Sequence, residues 1–89
     1  MKNYKPPYKE LKKDGYLYRE FTTDIDNHEL IWHKDKKNRM VYILEETDWF
    51  IQFENKLPEK LKNSVFIPKE TYHRIIKGKK PLIIKIKEF

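Results

Sequence analysis

The chain has 89 residues, a length that predicts one domain with a modest core. It has no cysteine, which excludes disulfides, thiolate metal sites and thiol nucleophiles. Its formal charge is +6, but only three of its 20 cations are Arg and the Lys residues are scattered along the whole chain, which argues against a nucleic-acid partner. We find neither a signal-peptide core nor an apolar run of about twenty residues, so we expect a cytoplasmic protein with no membrane partner.

The first 15 residues are polar and contain a Pro-Pro pair at positions 6 and 7. Proline fixes φ and removes a backbone donor, so we expect an extended N-terminal segment over residues 1–15. Within it, Tyr8–Lys13 is the candidate for a short helical turn that ends at Gly15. We expect the remaining residues, 16–89, to form the single folded domain.

From Tyr16 onwards the hydrophobic pattern has a period of two, which predicts β-strands. The predicted strands cover residues 16–23, 28–35, 39–46, 49–54, 64–68, 72–77 and 82–89. Short segments rich in turn-forming residues separate them, among them 25–27 and the stretch "GKKP". About seven short antiparallel strands, with little room for helix, predict an all-β sandwich or barrel.

The second predicted strand, "HELIWHKD", has two different faces. Ile31, His33 and Asp35 share one face, which we expect to point into a barrel, while Trp32 on the other face is expected to pack. His28, at the start of the strand, is expected to lie on the surface.

Further along the chain, the strand "WFIQFE" predicts one more polar residue of the interior. If Trp49, Ile51 and Phe53 face the hydrophobic packing side, Phe50 and Gln52 point into the cavity. A buried amide needs hydrogen-bond partners, so Gln52 would either bind a ligand or join neighbouring strands.

Two segments resemble the sequence motifs of cupins. "VFIPKETYHRIIKG" is similar to the second cupin motif, in which a strand, a proline and a tight turn precede a histidine. Pro68 and His73 stand at the matching positions, and Glu70 replaces the usual turn glycine.

"WHKDKKNRMVYILEE" resembles the first cupin motif, in which His-x-His precedes a glutamate and an apolar strand. His33 matches the first histidine, Asp35 stands at the second, and Arg39 occupies roughly the glutamate position.

The resemblance covers about four-fifths of the chain and extends to small cupin-like proteins with a "WHxD…R" and "IPxxxxHR" signature, some encoded by bacteriophages. It implies a double-stranded β-helix, a jelly-roll-like barrel whose two motifs meet across the interior. It also implies a homodimer, since such barrels often pair through edge strands.

Within such a barrel, His33, Asp35 and His73 would form a set of two histidines and one carboxylate. This set can hold a divalent Fe, Mn, Ni or Zn ion and leave positions open for substrate, as in Fe(II) oxygenases. An enzyme of this kind would be dioxygenase-like or isomerase-like, with Arg39 and Gln52 orienting a small polar or acidic molecule. No residue is identified as catalytic.

A second interpretation needs no metal. Asp35 would begin the "DKKN" turn and pair with Arg39, whose guanidinium repels a cation, and both histidines would be hydrogen-bonded barrel residues. The chain would then be a module that binds a small ligand, or a structural protein that acts through its edges or dimer face. The sequence leaves the metal-binding and metal-free interpretations open.

Overall fold

We describe residues 8–24 and 30–89 of a computed structural model. These residues form eight strands: β1 (Lys9–Lys13), β2 (Tyr16–Phe21), β3 (Arg39–Ile43), β4 (Phe50–Phe53), β5 (Glu59–Lys60), β6 (Ser64–Ile67), β7 (His73–Ile76) and β8 (Leu82–Glu88). All strand pairs are antiparallel, and the described residues contain no helix, so the predicted all-β class is confirmed. Consequently none of the described segments is a helix able to span a membrane.

The strands form two sheets. A five-stranded sheet has the order β1-β2-β8-β3-β6, and a three-stranded sheet has the order β5-β4-β7. Strand β8 lies in the middle of the larger sheet, and its alternating residues Leu82, Ile84 and Ile86 are buried. This period-two pattern places the apolar face of the larger sheet against the smaller sheet.

The core lies between the sheets and is made of apolar side chains from both. Its buried members are Phe21, Val41, Trp49, Ile51, Leu61, Ile67, Leu82, Ile84 and Ile86. Full burial of a side chain of this size contributes about 1.5–3 kcal/mol, so this cluster is the main source of stability. Trp49, which is completely buried, also donates its indole N–H to the carbonyl of Lys80.

The helical turn predicted over Tyr8–Lys13 is wrong, because β1 forms a hairpin with β2. Lys13 pairs with Tyr16, which leaves a two-residue loop of Asp14 and Gly15 with φ values of 54° and 83°. Two consecutive positive φ angles are typical of a type I′ turn, whose twist matches that of the flanking strands. The hairpin gives the backbone groups of β1 partners that one helical turn would not.

The predicted strand over residues 28–35 is described only from residue 30. His28 and the predicted turn at 25–27 lie outside the described residues. Over residues 30–35, the only β-pairing is a bridge between His33 and His73. The eight described strands comprise six of the seven predicted ones and two, β1 and β5, that were not predicted.

Candidate metal centre

His33 and His73 face each other in the strand bridge. The amide of His33 donates to the carbonyl of His73 at 3.0 Å, and the amide of His73 donates to the carbonyl of His33 at 2.9 Å. Directly opposed residues of an antiparallel pair project their side chains to the same side. The two imidazole rings accordingly lie side by side, with centroids 4.4 Å apart.

Asp35 joins the histidines because it follows His33 by two residues on an extended segment, so its side chain points the same way. Its carbonyl accepts a hydrogen bond of 2.7 Å from the amide of Glu70. Glu70 has a φ of 59°, a left-handed conformation that non-glycine residues rarely adopt. The turn before β7 therefore holds the backbone of the segment that carries Asp35.

The three side chains converge within a few ångströms. One potential ligand atom from each of His33, Asp35 and His73 lies within 4.8 Å of the others. The Nε2 atom of His73 is 3.5 Å from Asp35 Oδ2, and that of His33 is 4.0 Å from Asp35 Oδ1. The side-chain exposures of 4% for His73, 14% for Asp35 and 48% for His33 place His73 at the base and His33 at the mouth.

Both imidazole rings are oriented by a backbone carbonyl. The Nδ1 atom of His33 lies 3.0 Å from the carbonyl oxygen of Ile31, and that of His73 lies 2.9 Å from that of Thr71. Because a carbonyl oxygen can only accept, each Nδ1 carries the proton and donates it. In the neutral ring, each Nε2 then presents a lone pair toward Asp35, the tautomer that suits metal ligation.

Burial favours the neutral form of His73. Desolvation lowers the pKa of His73 below 6.5, and this outweighs the opposing effect of its hydrogen bond to Thr71. The charge of His33 lowers the pKa of His73 further, while that of Asp35 raises it. A neutral imidazole is the form that binds a metal ion.

Arg39 has two carboxylate partners, and the sequence predicts Asp35 but not Glu88. Arg39 donates from Nε to Glu88 Oε2 at 2.9 Å, and its Nη2 lies 2.7 Å from the same oxygen. Its Nη1 is 3.4 Å from Asp35 Oδ2, so the predicted pairing of Asp35 with Arg39 is confirmed. Glu88 is the residue opposite Arg39 on β8, a relationship that depends on strand register and has no signal in the sequence.

The prediction that Gln52 points into the cavity is wrong. Ile51 is the residue of β4 that is buried and lines the cavity, and this places Gln52 and the exposed Phe50 on the other side of the strand. The side-chain oxygen of Gln52 accepts bonds of 3.0 and 2.8 Å from Arg74, and its amide donates to the carbonyl of Lys56. Gln52 thus joins neighbouring chain segments.

Trp32 packs, as predicted, and it does so against an arginine on the outer side of the barrel. It is 40% exposed and stacks against the guanidinium of Arg74, which lies 4.9 Å from the ring centroid. Trp32 therefore packs on the outside of the barrel and not in the core.

A cavity of about 290 Å³ lies between the sheets beside the three side chains. Most of its wall is apolar, and its polar members are His33, Asp35, His73 and the two arginines Arg19 and Arg39. Arg19 pairs with Glu10 at 2.7 Å. An apolar cavity with a few convergent polar groups is the usual form of a small-molecule site.

These residues fit a metal ion. Asp35 Oδ2 is buried and has no hydrogen-bond partner in the described part of the protein. The two Nε2 atoms lie near the same carboxylate, so three potential ligand atoms come within 4.8 Å of one another. Buried acceptors need a donor or a cation, and two imidazoles with one carboxylate suit a divalent transition metal.

Comparison with known proteins gives matches in structure and none in sequence. No protein-family model and no curated protein matches the chain. Two similar solved structures are of protein NMB1881 from Neisseria meningitidis and of a cupin-2 domain protein from Shewanella frigidimarina. The first has 15% identity, covers 100% of this chain and 88% of its own, and has a TM-score of 0.61. The second has 17% identity, covers 94% and 80%, and has a TM-score of 0.59.

A third similar structure is Fe(II) HppE, with 17% identity and a TM-score of 0.63. The match covers 92% of this chain and 48% of HppE, so the chain spans about half of that protein. HppE is also similar in its Co(II) form with substrate. Together with the two antiparallel sheets, these likenesses show that the fold is the predicted cupin-like, jelly-roll barrel.

Proposed function

We propose that this protein binds a divalent transition metal ion through His33, Asp35 and His73, next to a small polar or acidic ligand in the cavity. The observation that carries the proposal is the convergence of three acceptor atoms, one of them a buried carboxylate oxygen without a hydrogen bond. The Fe(II) form of HppE supports an iron-type site, although the same donors also suit Mn, Ni and Zn.

The charge around the site supports a cation. Taken alone, the guanidinium of Arg39 is unfavourable for the site, because it repels a metal ion. Glu88 offsets that charge through its two contacts with Arg39. With both histidines neutral, Asp35, Arg39 and Glu88 together carry one negative charge, which attracts a divalent ion.

Each of the surrounding residues would have a role in such a centre. The carbonyls of Ile31 and Thr71 orient the imidazoles, and the amide of Glu70 holds the backbone at Asp35. A bound ion would supply a Lewis acid with open positions for the ligand. Arg39, which lies at the cavity wall, would bind an acidic group of that ligand.

A second candidate function is a metal-free module that binds a small ligand. It is favoured by the 3.4 Å ion pair between Arg39 and Asp35, which gives the carboxylate a counter-charge without any metal. In this case Arg39 and His73 would contact the ligand directly. The homodimer implied by the cupin resemblance stays a prediction for either function.

Metal analysis of untagged protein, purified without chelator and then loaded anaerobically with Fe(II), tests the proposal. We expect about one equivalent of metal per chain and a raised melting temperature. Asp35→Asn and His73→Asn should abolish both effects. Glu45→Gln, which changes an exposed carboxylate elsewhere, is the matched control.

The second candidate function, the metal-free module, predicts that the protein takes up no metal. Loading below about a tenth of an equivalent for Fe(II), Mn(II), Ni(II) and Zn(II) alike would reject the metal site. If a screen of small acids then raised the melting temperature of the wild type but not of Arg39→Ala, the metal-free module would be the better function.

A further inference from the structure

The outward surface of the five-stranded sheet carries a compact group of aromatic and cationic side chains. The inward residues of β8 are Leu82, Ile84 and Ile86, so Lys85 and Lys87 point outward. Residues that pair with them or adjoin them across the sheet share that side. From the residues on that side we group Lys13, Tyr16, Tyr18, Tyr42, Lys85 and Lys87 and call them the tyrosine–lysine face. The apolar residues Leu11, Met40 and Phe66 lie on the same side of the sheet.

The rings and ammonium groups of this face are in contact. The ring of Tyr16 lies 6.4 Å from that of Tyr18 and 6.5 Å from that of Tyr42, measured between centroids. Lys85 Nζ is 4.5 Å from the centroid of Tyr16 and 5.4 Å from that of Tyr42. Lys87 Nζ lies 5.3 Å from Tyr16, so one tyrosine contacts both lysines.

The face is positively charged. Within residues 8–24 and 30–89, no carboxylate forms a salt bridge with Lys13, Lys85 or Lys87. The one carboxylate on the outward side of β2 is Glu20, whose strand neighbours are Lys9 and Ile83. Lys85 and Lys87 are instead held over tyrosine rings, a contact that leaves their charge uncompensated.

This charge identifies the kind of partner. A second copy of the chain would place lysines against lysines, because a two-fold interface joins the same patch to itself. An apolar partner would leave the ammonium groups desolvated and unpaired. A partner with regularly spaced negative charges and flat rings matches both the lysines and the tyrosines.

We infer that the tyrosine–lysine face binds single-stranded nucleic acid, with phosphates at Lys13, Lys85 and Lys87 and bases stacked on the tyrosines. Base stacking on aromatic residues next to a positive groove is the general mode of single-strand binding. Sheet surfaces that present aromatic rings use it for RNA. Duplex is disfavoured, because the face is the surface of a sheet and carries no helix or ribbon to insert into the major groove.

The sequence argued against a nucleic-acid partner because the lysines are scattered along the chain. The fold removes that argument. Lys13 and Lys85 are far apart in sequence, yet β2 lies between their strands and brings both beside its tyrosines. Alternate residues of four strands thus form one patch.

The face and the candidate metal centre lie on opposite sides of the same sheet. Ile84 and Ile86 line the cavity, whereas their neighbour Lys85 points away from it. Chelation of metal should therefore leave binding of nucleic acid unchanged. The two proposals can fail independently.

Fluorescence anisotropy of the full chain with labelled single-stranded DNA and RNA of about 12 nucleotides tests the inference at about 50 and 200 mM salt. We expect micromolar affinity that falls as salt rises. Lys85→Gln with Lys87→Gln should weaken binding about tenfold. Lys60→Gln with Lys62→Gln removes the same charge from exposed positions elsewhere and should change affinity by less than about threefold.

A second pair of variants tests whether the tyrosine rings stack with bases. Tyr42→Leu removes the ring and should weaken binding at least about fivefold, whereas Tyr42→Phe keeps the ring and should bind like the wild type. Thermal melts verify that each variant is folded. Equal affinity for Tyr42→Leu and Tyr42→Phe would leave only charge and overturn the inference.

Three other results would also overturn it. The first is no binding at about 50 mM salt. The second is an equal loss for the two pairs of lysine variants, which would mean that net charge alone attracts the strand. The third is a dimer in sedimentation that Tyr42→Leu dissociates, since the face would then be covered by a second copy.

Discussion

Arg39 and Glu88 lie opposite each other on β3 and β8, and the guanidinium of Arg39 contacts Glu88 Oε2 at 2.7 Å while it reaches Asp35 Oδ2 at 3.4 Å. This relationship determines the net charge beside the two histidines. Without Glu88, the positive charge of Arg39 would cancel the negative charge of Asp35. The pair would therefore control how strongly the proposed metal site attracts a cation.

Glu88→Gln should weaken metal binding about tenfold, because it exposes the proposed ion to the full charge of Arg39. Competition with a coloured chelator measures the affinity. Glu10→Gln is the matched control, since it removes the carboxylate of the other arginine pair, Arg19–Glu10, and should leave the affinity unchanged. Equal affinities for wild type and Glu88→Gln would contradict this account of the charge.

Glu70→Gly should be more stable than Glu70→Ala by about 1 kcal/mol. Both variants lose the 3.2 Å ion pair with Lys34, but only glycine relieves the left-handed backbone at φ 59°. Urea unfolding of the two variants measures the difference. If alanine is the more stable of the two, the turn does not require this conformation.

Gly78→Ala should destabilise the protein by about 2 kcal/mol or more. An added Cβ would lie 2.2 Å from Asp48 Oδ1 and 2.7 Å from the backbone carbonyl carbon of Asp48, so side-chain movement alone cannot make room. Gly15→Ala is the comparison: a Cβ there meets nothing within 4 Å, and its φ of 83° is the only strain. Thermal melts should rank Gly78→Ala as the less stable variant.

The stability of the protein in acid should depend on Asp48. The backbone amides of Lys80 and Lys79 donate to its carboxylate at 2.9 and 2.8 Å and hold the pKa of Asp48 below 3.8. The folded state thus releases this proton more readily than the unfolded state does. The contribution is complete above pH 3.8 and is lost as the pH falls through the folded pKa.

Asp48→Asn removes that titration. Its free energy of unfolding should therefore fall less steeply than that of the wild type as the pH drops below about 4. Urea unfolding at a series of acidic pH values measures both curves. Glu45→Gln, which alters a carboxylate outside this turn, should keep the steeper curve; identical curves for wild type and Asp48→Asn would refute the assignment.

The sequence was sufficient for the fold class because period-two patterns recur along the chain. The alternation in "LIIKIKEF" predicts β8. The cupin resemblance predicts that His33 and His73 lie close together, as they do in the strand bridge. These features are local or depend on spacing. They do not require knowledge of which strands are neighbours.

The features that the sequence could not reveal depend on register and on sheet order. Glu88 reaches Arg39 because β3 pairs with β8, and Gln52 points outward because Ile51 is the residue that β4 buries. The hairpin of β1 was missed because its polar residues carry no hydrophobic signal. Alternation gives two faces, and only the fold decides which is inside.

The bridge between His33 and His73 would couple ligand binding at these residues to local opening of the barrel wall. It is the only β-bridge described for residues 30–37, and it joins this segment to β7 through two backbone hydrogen bonds. The hydrogen bond from the Glu70 amide to the Asp35 carbonyl holds the same segment to the turn before β7. A ligand or metal ion that binds both imidazoles would also stabilise this β-bridge. Binding in the pocket would then slow the hydrogen exchange of the backbone amides of these two histidines. This change could be measured even for a ligand that is colourless and is not turned over.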